Sequence, residues 1–554
     1  MNGTLALAAS LAAMSRGELR ALVGSRPIAN PDAIADPLGL AIELLRPESL
    51  GRGLYEVRRA EVDALRVLGE AAAGGLGAPG VDPHTLATLR LRGLVGRGEG
   101  DAIVPLPEVS AALRRAGDAA SSEVASGPEA DVAAAVTSTP GSADRDTSRW
   151  FGEALSAVRR AAALLRVMPS LPARLSRKDE PTAASVRALA EATHDDPERT
   201  VRLLRVLRDA GLISAVTAGR SGSHAMVLVP TAAAGGWLGR GVPERWIVLA
   251  RAHADHLPGH LRRALELSDR NLALAAGPIL DEEFPLLPAT ARTAARESAA
   301  TAELLGLTVH GHLSPAAIPL FAGDEPAALA TARRDIPPPA AGVYVQPDLT
   351  VIVPGPLDPA DEEELDALTD TEQLGAAAVL RLSPTSLARA RRLGRSTAEI
   401  RAVLARLSLT ELPQPLEYLL TDLDREREPA PGREELTLAA WLRLSADQAS
   451  AAPDAPATTD TRDTQRAALD ALVERVLASA DAGPGDLARV LEYAIRNRSA
   501  VRVTAASGDE QRTFTLRPIA LSGGRLRATD ELAGVQRTLP VSAITAVEPI
   551  DDIN

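Results

Sequence analysis

The 554-residue chain contains no cysteine. This excludes disulfides, thiolate metal sites and a cysteine nucleophile, and it accords with a reducing cytoplasm. Lysine is almost as scarce, since only Lys178 among the 60 Lys and Arg residues is lysine. A Walker A loop needs Gly-x-x-x-x-Gly-Lys-Ser/Thr, with backbone amides around the phosphates and the lysine on the β/γ oxygens. Lys178 lies in "LSRKDEP" with no glycine loop before it, so that motif is excluded and a lysine Schiff base is confined to one position. There is no Gly-x-Ser-x-Gly elbow either.

Aromatic residues make up only 2% of the chain. Ala, Leu and Val must therefore fill the cores, through helices that approach one another closely. No apolar run approaches the ~18 residues of a membrane span. The opening "MNGTLALAASLAAMSRGELRALV" has no Lys or Arg ahead of its apolar run, so it reads as one amphipathic helix continuing through Leu19 and Leu22 and not as a secretory signal. The net charge of −13 argues against indiscriminate coating of nucleic acid, because the long-range field repels phosphate. Contacts to nucleic acid must come from local arginine patches.

What is present is ordinary globular material, 45% hydrophobic and 24% charged, long enough for ~4 domains. In residues 58–116 a helix, a Gly-rich turn, a second helix opened by Asp82-Pro83 and a hairpin in "LVGRGEGDAIVPL" predict a winged helix. Periodicity fades over 117–149. The same order recurs at 182–230, where Asp196 and Pro197 start a helix, Ala210-Gly211 stops it, and two strands flank "TAGRSGS". A weaker third instance spans 290–321.

Residues 342–367, "GVYVQPDLTVIVPGPLDPADEEELDAL", read as strand, turn, strand and acidic helix, and Ser396 with Glu399 forms a capping box ahead of Ile400, Val403, Leu404 and Leu407. The tail holds four strand-like runs, "SAVRVTAAS", "RTFTLRPIALS", "GRLRATDE" and "QRTLPVSAITAVEPI", which predict a small barrel or sheet. The resulting division is 1–120 a helical region with the first winged helix, 121–149 a linker, 150–245 the second winged helix, and 246–325 a helical region with a possible third. An α+β module at 326–430, a linker at 431–465 and a small β-barrel at 466–554 complete it.

The Gln-Pro-Asp strand pair, "RLSPTSL", the helix start "GRSTAEI" and "PQPLEYLL", in this order over roughly 340–425, resemble the N-terminal domain of XPB-type DNA helicases. More closely they resemble helicase-associated proteins of actinobacteria that carry that domain without a motor. The tail, with "LARVLEYAIRNRSAVRVTAAS", "LRPIALSGGRLRATDE" and "AITAVEPI", resembles the WYL fold, a small Sm-like barrel of bacterial regulators, but "GRLRATD" stands where the family has Trp-Tyr-Leu. The resemblances imply a multi-domain, mainly α and α+β architecture with tandem winged helices, an XPB N-domain-like module and a C-terminal β-barrel.

Two basic groups are candidate DNA contacts. Arg199, Arg202, Arg205 and Arg208 recur every third residue and so follow one slowly turning helix face beside Val201, Leu204 and Leu207. In a winged helix this helix enters the major groove. The alternative is a solvated face paired to acids such as Glu198 or Asp209. Between 381 and 406 seven arginines, including Arg389, Arg391, Arg392 and Arg395, face only Glu399. They either touch phosphate or are neutralised by the acidic run 358–372, and the second reading is preferred because no aromatics interleave for base stacking.

His253, His256 and His260 have metal-like spacing, but Pro258-Gly259 interrupts their helix, so solvated or capping roles are preferred. Carboxylates at 358–366 are explained by the helix macrodipole. No cofactor, metal or catalytic residue is expected. The expectation is a non-enzymatic, cytoplasmic or nucleoid-associated protein whose partners are DNA and an XPB-type helicase, RNA polymerase or repair proteins, with no membrane and no small-molecule substrate. The alternatives are a WYL-type one-component transcription regulator and a protein-only scaffold.

Overall fold

A computed structural model describes residues 3–73, 80–97, 103–124, 150–218, 225–375, 377–425, 461–481, 484–497, 499–507 and 510–549. Helices dominate, and the strands form several small antiparallel sheets, giving a mixed α/β chain. It divides into two compact units, neither of them contiguous: residues 1–139, 279–291 and 456–554, and residues 140–278 and 292–455.

The first unit is built around helix Gly3–Ala12, whose sequence GTLALAASLA is apolar almost all round and buried accordingly. The amphipathic pattern through Leu19 and Leu22 belongs to a second helix, Arg16–Gly24, because Ser15 and Glu18 form a reciprocal capping box that ends one helix and starts another. Arg26 is buried and donates to the carbonyls of Leu44 and Arg92, at the C-terminal ends of two helices, and of Ser49, in the first turn of a third, at 3.4, 2.9 and 2.8 Å. Burial pulls its pKa down to about 10, so it stays charged at neutral pH.

Asp82 caps helix Pro83–Leu91 through the Thr85 amide at 2.9 Å, and Gly93 at φ +63° turns the chain into the pair Val95–Arg97 and Ile103–Pro105. Helix Pro107–Val124 runs beyond the point where the sequence periodicity fades; residues 125–149 lie outside the described residues.

The tail adds five strands, not four. The run "QRTLPVSAITAVEPI" contains both Gln536–Pro540 and Ile544–Pro549, split by a single 3-10 turn at Val541–Ala543. The turn sends the last strand across to pair with Val501–Ser507, so the order is 536–540, 525–530, 510–522, 501–507, 544–549, antiparallel throughout. Val501, Val503, Leu516, Leu526 and Ile544 share one core with Leu5, Leu7, Leu11 and Leu19.

In the second unit, helix Phe151–Val167 is followed by strand Ala173–Arg174, helices Ala183–Ala192 and Pro197–Asp209, and strands Ile213–Ala218 and Ala225–Pro230. The three strands form one antiparallel sheet in the order 173–174, 225–230, 213–218; residues 219–224, at the tip of the hairpin, lie outside the described residues. Trp150 and Trp246, two of the chain's four tryptophans, are both fully buried with ring centroids 4.8 Å apart.

The segment 342–425 forms a four-stranded antiparallel sheet in the order 370–373, 378–381, 350–353, 344–345, covered by helices Pro384–Arg392, Thr397–Leu407 and Gln414–Arg425. Asp348 accepts from the Thr350 amide at 3.0 Å and closes the Gln-Pro-Asp turn. Ile400, Leu404 and Leu407 are buried against Val343, Val351 and Val353, each worth roughly 1.5–3 kcal/mol of transfer energy. The region expected as a linker at 431–465 lies outside the described residues up to 460, and helix Thr461–Asp481 begins there.

Candidate nucleic-acid interface

Helix Pro197–Asp209 owes its start to Asp196, whose carboxylate accepts from the amides of Glu198 and Arg199 at 2.9 and 3.1 Å, with Pro197 at the first helical position. Thr200, Leu203, Leu204, Val206 and Leu207 are buried, a wider stripe than Val201, Leu204 and Leu207 alone. Arg199, Arg205 and Arg208 are exposed and Arg202 is half-buried, and each of the four meets a carboxylate. Arg199 pairs with Asp195 at 3.4 Å and Arg202 with Glu198 at 3.5 Å, both one helical turn back. Arg205 is held by two acids from other elements, Glu297 at 2.9 Å and Glu180 at 3.2 Å. Arg208 pairs with the Asp179 carboxylate and donates to the Asp179 carbonyl at 3.0 Å. Burial opposes the charge on Arg205, but hydrogen bonds to Glu297 and Glu180 raise its pKa above the ordinary arginine value. Asp209 reaches His256 instead, at 3.6 Å.

The arginines of 381–406 are also engaged. Arg389 binds Asp370 and the Thr369 carbonyl, both at 2.7 Å, and Arg381 binds Glu372 at 3.0 Å. Arg406 clasps Asp361, at 2.7 Å, and Glu364; Arg401 pairs with Glu417 at 3.0 Å; and Arg391 donates to the Leu423 carbonyl. Arg392 is exposed, and Arg395, beside the Ser396 cap, adds to the hydrogen bonds from Ser396 that hold the Glu399 carboxyl below its usual range. Carboxylates of the acidic run 358–372 therefore take up Arg381, Arg389 and Arg406.

The same acidic helix, Pro359–Asp366, receives two arginines that sequence reasoning missed. Glu362 lies between Arg245, at 2.7 Å, and Arg166, at 3.3 Å, and Arg166 also reaches Asp366 at 3.4 Å. The Arg245 side chain is 1% exposed; it donates to the carbonyls of Arg240 and Leu238 at the end of helix Ala232–Leu238 and lies over the Trp237 ring. Burial opposes ionisation of Glu362, yet the two arginines hold its carboxyl below the usual range, so the triad is charged at neutral pH.

Helix Phe151–Val167 makes further junctions with this module. Arg159 donates to the carbonyls of Gly375, at 2.9 Å, and Gly355, and Arg160 to that of Leu374 at 3.0 Å. The only signal for this clamp in the sequence was a set of arginines, Arg159, Arg160 and Arg166, within a mostly apolar helix.

Of the three histidines, His253 and His260 are buried, and the helix does break between Asp255 and Gly259. Burial lowers the His253 pKa to about 4. His256 places Nδ1 2.8 Å from the Ala252 carbonyl. Among the described residues no group of three or more His, Asp or Glu side chains is placed to hold a metal ion. None of the described helices is long and apolar enough to cross a membrane. In the tail, Arg525 and Arg527 project from one face of their strand, exposed and without an ion pair among the described residues, while Asp530 on the opposite face is buried and held by Arg537 at 2.6 Å.

Residues 343–449 match a protein family described as a helicase conserved C-terminal domain. The match begins at the first buried valine of the four-stranded module and passes through its three covering helices; its last residues, 426–449, lie outside the described residues. It places this segment in the helicase-related class, as the sequence resemblance does, while naming the opposite end of a helicase. No curated protein matches the chain.

Proposed function

We propose that this chain is a non-enzymatic, DNA-associated accessory protein that docks with an XPB-type helicase or with repair or transcription machinery. The reading is carried by the helicase-family match at 343–449, on a module clamped by Arg159, Arg160, Arg166 and Arg245 to the segment 150–245. Three further features support it. The order helix, strand, helix, helix, strand, strand in 151–230 is compatible with a winged helix, and its third helix carries the arginine row. The five-strand order of the tail is compatible with a small WYL-like barrel. With Lys178 as the single lysine, a Walker A loop is unavailable.

On this reading rigid modules position duplex and partner, and guanidinia supply short-range phosphate contacts. Recovery of an XPB-type helicase by the intact chain from a nuclease-treated native lysate is the expected result; recovery of RNA polymerase alone moves the reading to a regulator. The purified protein is expected to show no ATP turnover that tracks its concentration through successive columns.

The ion pairs on Arg199, Arg202, Arg205 and Arg208 favour a second reading, a scaffold that uses its winged-helix faces for protein contacts alone. Replacing all four with alanine separates the two. Loss of duplex binding supports the DNA-associated reading, and an unchanged gel shift supports the scaffold.

A further inference from the structure

We infer that the C-terminal half of the basic helix Pro197–Asp209 is covered by an internal acidic competitor, made by Asp179, Glu180 and Glu297, which a nucleic-acid phosphate backbone must displace. The inference rests on the DNA-associated reading and concerns the regulation of the same helix. The four arginines are not covered alike. Arg199 and Arg202 pair with acids four residues back along the chain: Asp195, the residue before the Asp196 cap, whose side chain is 5% exposed and also holds Arg160, and Glu198 in the first turn of the same helix. Arg205 and Arg208 are covered by acids from outside: Glu297 on helix Ala289–Leu304, and Asp179 with Glu180 from the loop before helix Ala183–Ala192.

That loop is preformed. The Ser176 amide donates to the Glu180 carbonyl at 2.8 Å, the Asp179 amide to the Ser176 carbonyl at 3.0 Å, and Leu175 bridges Pro181. Asp179 sits at φ +61°, a left-handed conformation that aspartate tolerates better than most residues. The turn therefore presents two adjacent carboxylates to the helix.

Charge and exposure determine how such a contact behaves. Asp179, Glu180 and Glu297 occupy Arg205 and Arg208, so a phosphate must displace these carboxylates to reach the two guanidinia, while the exposed Arg177 and Lys178 beside them in the loop leave this end of the helix without a net negative charge. The side chains are open to water, with Arg205 46% and its partners Glu180 and Glu297 58% and 49% exposed, so each pair is screened and contributes at most about 1 kcal/mol. A contact of that strength competes with a polyanion without locking the fold.

The test uses the full chain and a fluorescent duplex of about two helical turns, with binding followed by anisotropy from about 50 to 200 mM salt. Asp179→Asn, Glu180→Gln and Glu297→Gln together are expected to tighten binding about fivefold to tenfold. Adding the four Arg→Ala changes should abolish the gain. A control with Glu266→Gln, Glu411→Gln and Asp424→Asn makes the same change in net charge at exposed positions elsewhere, and should alter affinity less than about twofold. If the two triple variants behave alike, the competitor is refuted while the DNA-associated reading stands. If neither wild type nor variant binds duplex, or if the arginine variants bind as well as wild type, that reading falls and the competitor with it.

Discussion

Two sets of arginine–carboxylate pairs in the second unit use identical chemistry under different exposure. At the acidic helix Pro359–Asp366, Glu362 joins Arg166 and Arg245, side chains that are 17% and 1% exposed, and the pairs tie elements 196 and 117 residues apart in sequence. On helix Pro197–Asp209 the pairs of Arg205 and Arg208 are largely open to solvent. A charge taken out of water stays only while its partner does, so removing one member of a buried pair strands the other. A charge left in water loses little when its partner goes. The buried set is a structural clamp; the exposed set is a surface whose partner can be exchanged.

The largest expected effect breaks the clamp. Glu362→Ala leaves Arg245 buried without its carboxylate and should cost about 3–5 kcal/mol, read as a lower denaturant midpoint for the unit and faster amide exchange in helix Phe151–Val167. Glu362→Asp should recover part of the loss.

Burial without a charged partner offers a second test. Burial holds the pKa of His253 at about 4 when folded, below the ordinary histidine value of 6.5. Between these values the unfolded chain binds more protons, so the stabilising contribution is complete above pH 6.5 and is lost as pH falls toward 4, by about 3 kcal/mol in total. Thermal unfolding at pH 7 and pH 5 should show the decline, and His253→Gln should flatten it.

A third change tests close backbone approach in the same unit. A Cβ on Gly342 would run into the Leu407 carbonyl oxygen, which accepts from the Val343 amide at 2.8 Å. Gly342→Ala should therefore cost about 1–3 kcal/mol by forcing this junction apart. The smallest effect is expected on the exposed set: neutralising Glu180 and Glu297 should lower stability by less than about 1 kcal/mol, measured by the same denaturant titration. A loss as large as that of Glu362→Ala would erase the contrast between clamp and exchangeable surface.

Much of the local structure was legible in the order of residues. The Asp196-Pro197 start, the Ser396–Glu399 box, the Gln-Pro-Asp turn and the stop near Gly211 depend on side chains and backbone a few residues apart, and each appears where the sequence places it. The single apparent helix at the start is two because the Ser15–Glu18 box starts a new helix inside a continuous apolar rhythm. The last tail run became two strands because alternation does not reveal which neighbour a strand will pair with. The arginine row was visible as spacing, but its carboxylate partners were only partly so: Glu198 was close enough to name, whereas Glu297 lies 92 residues from Arg205.

By itself the sequence determined which chemistry is open to this protein: no thiol, a single lysine, no Walker A loop, and arginine as nearly the only cation. It also determined the helix starts and turns, because caps and turn hydrogen bonds are made within a few residues. Only the tertiary structure decided that the first helix and the last strands share one core, and that Glu362, in an acidic run resembling a simple solvated helix start, is the partner of two distant arginines. The physical reason is that burial is a property of three-dimensional neighbours, and burial decides whether a charge holds the fold together or remains available to another molecule.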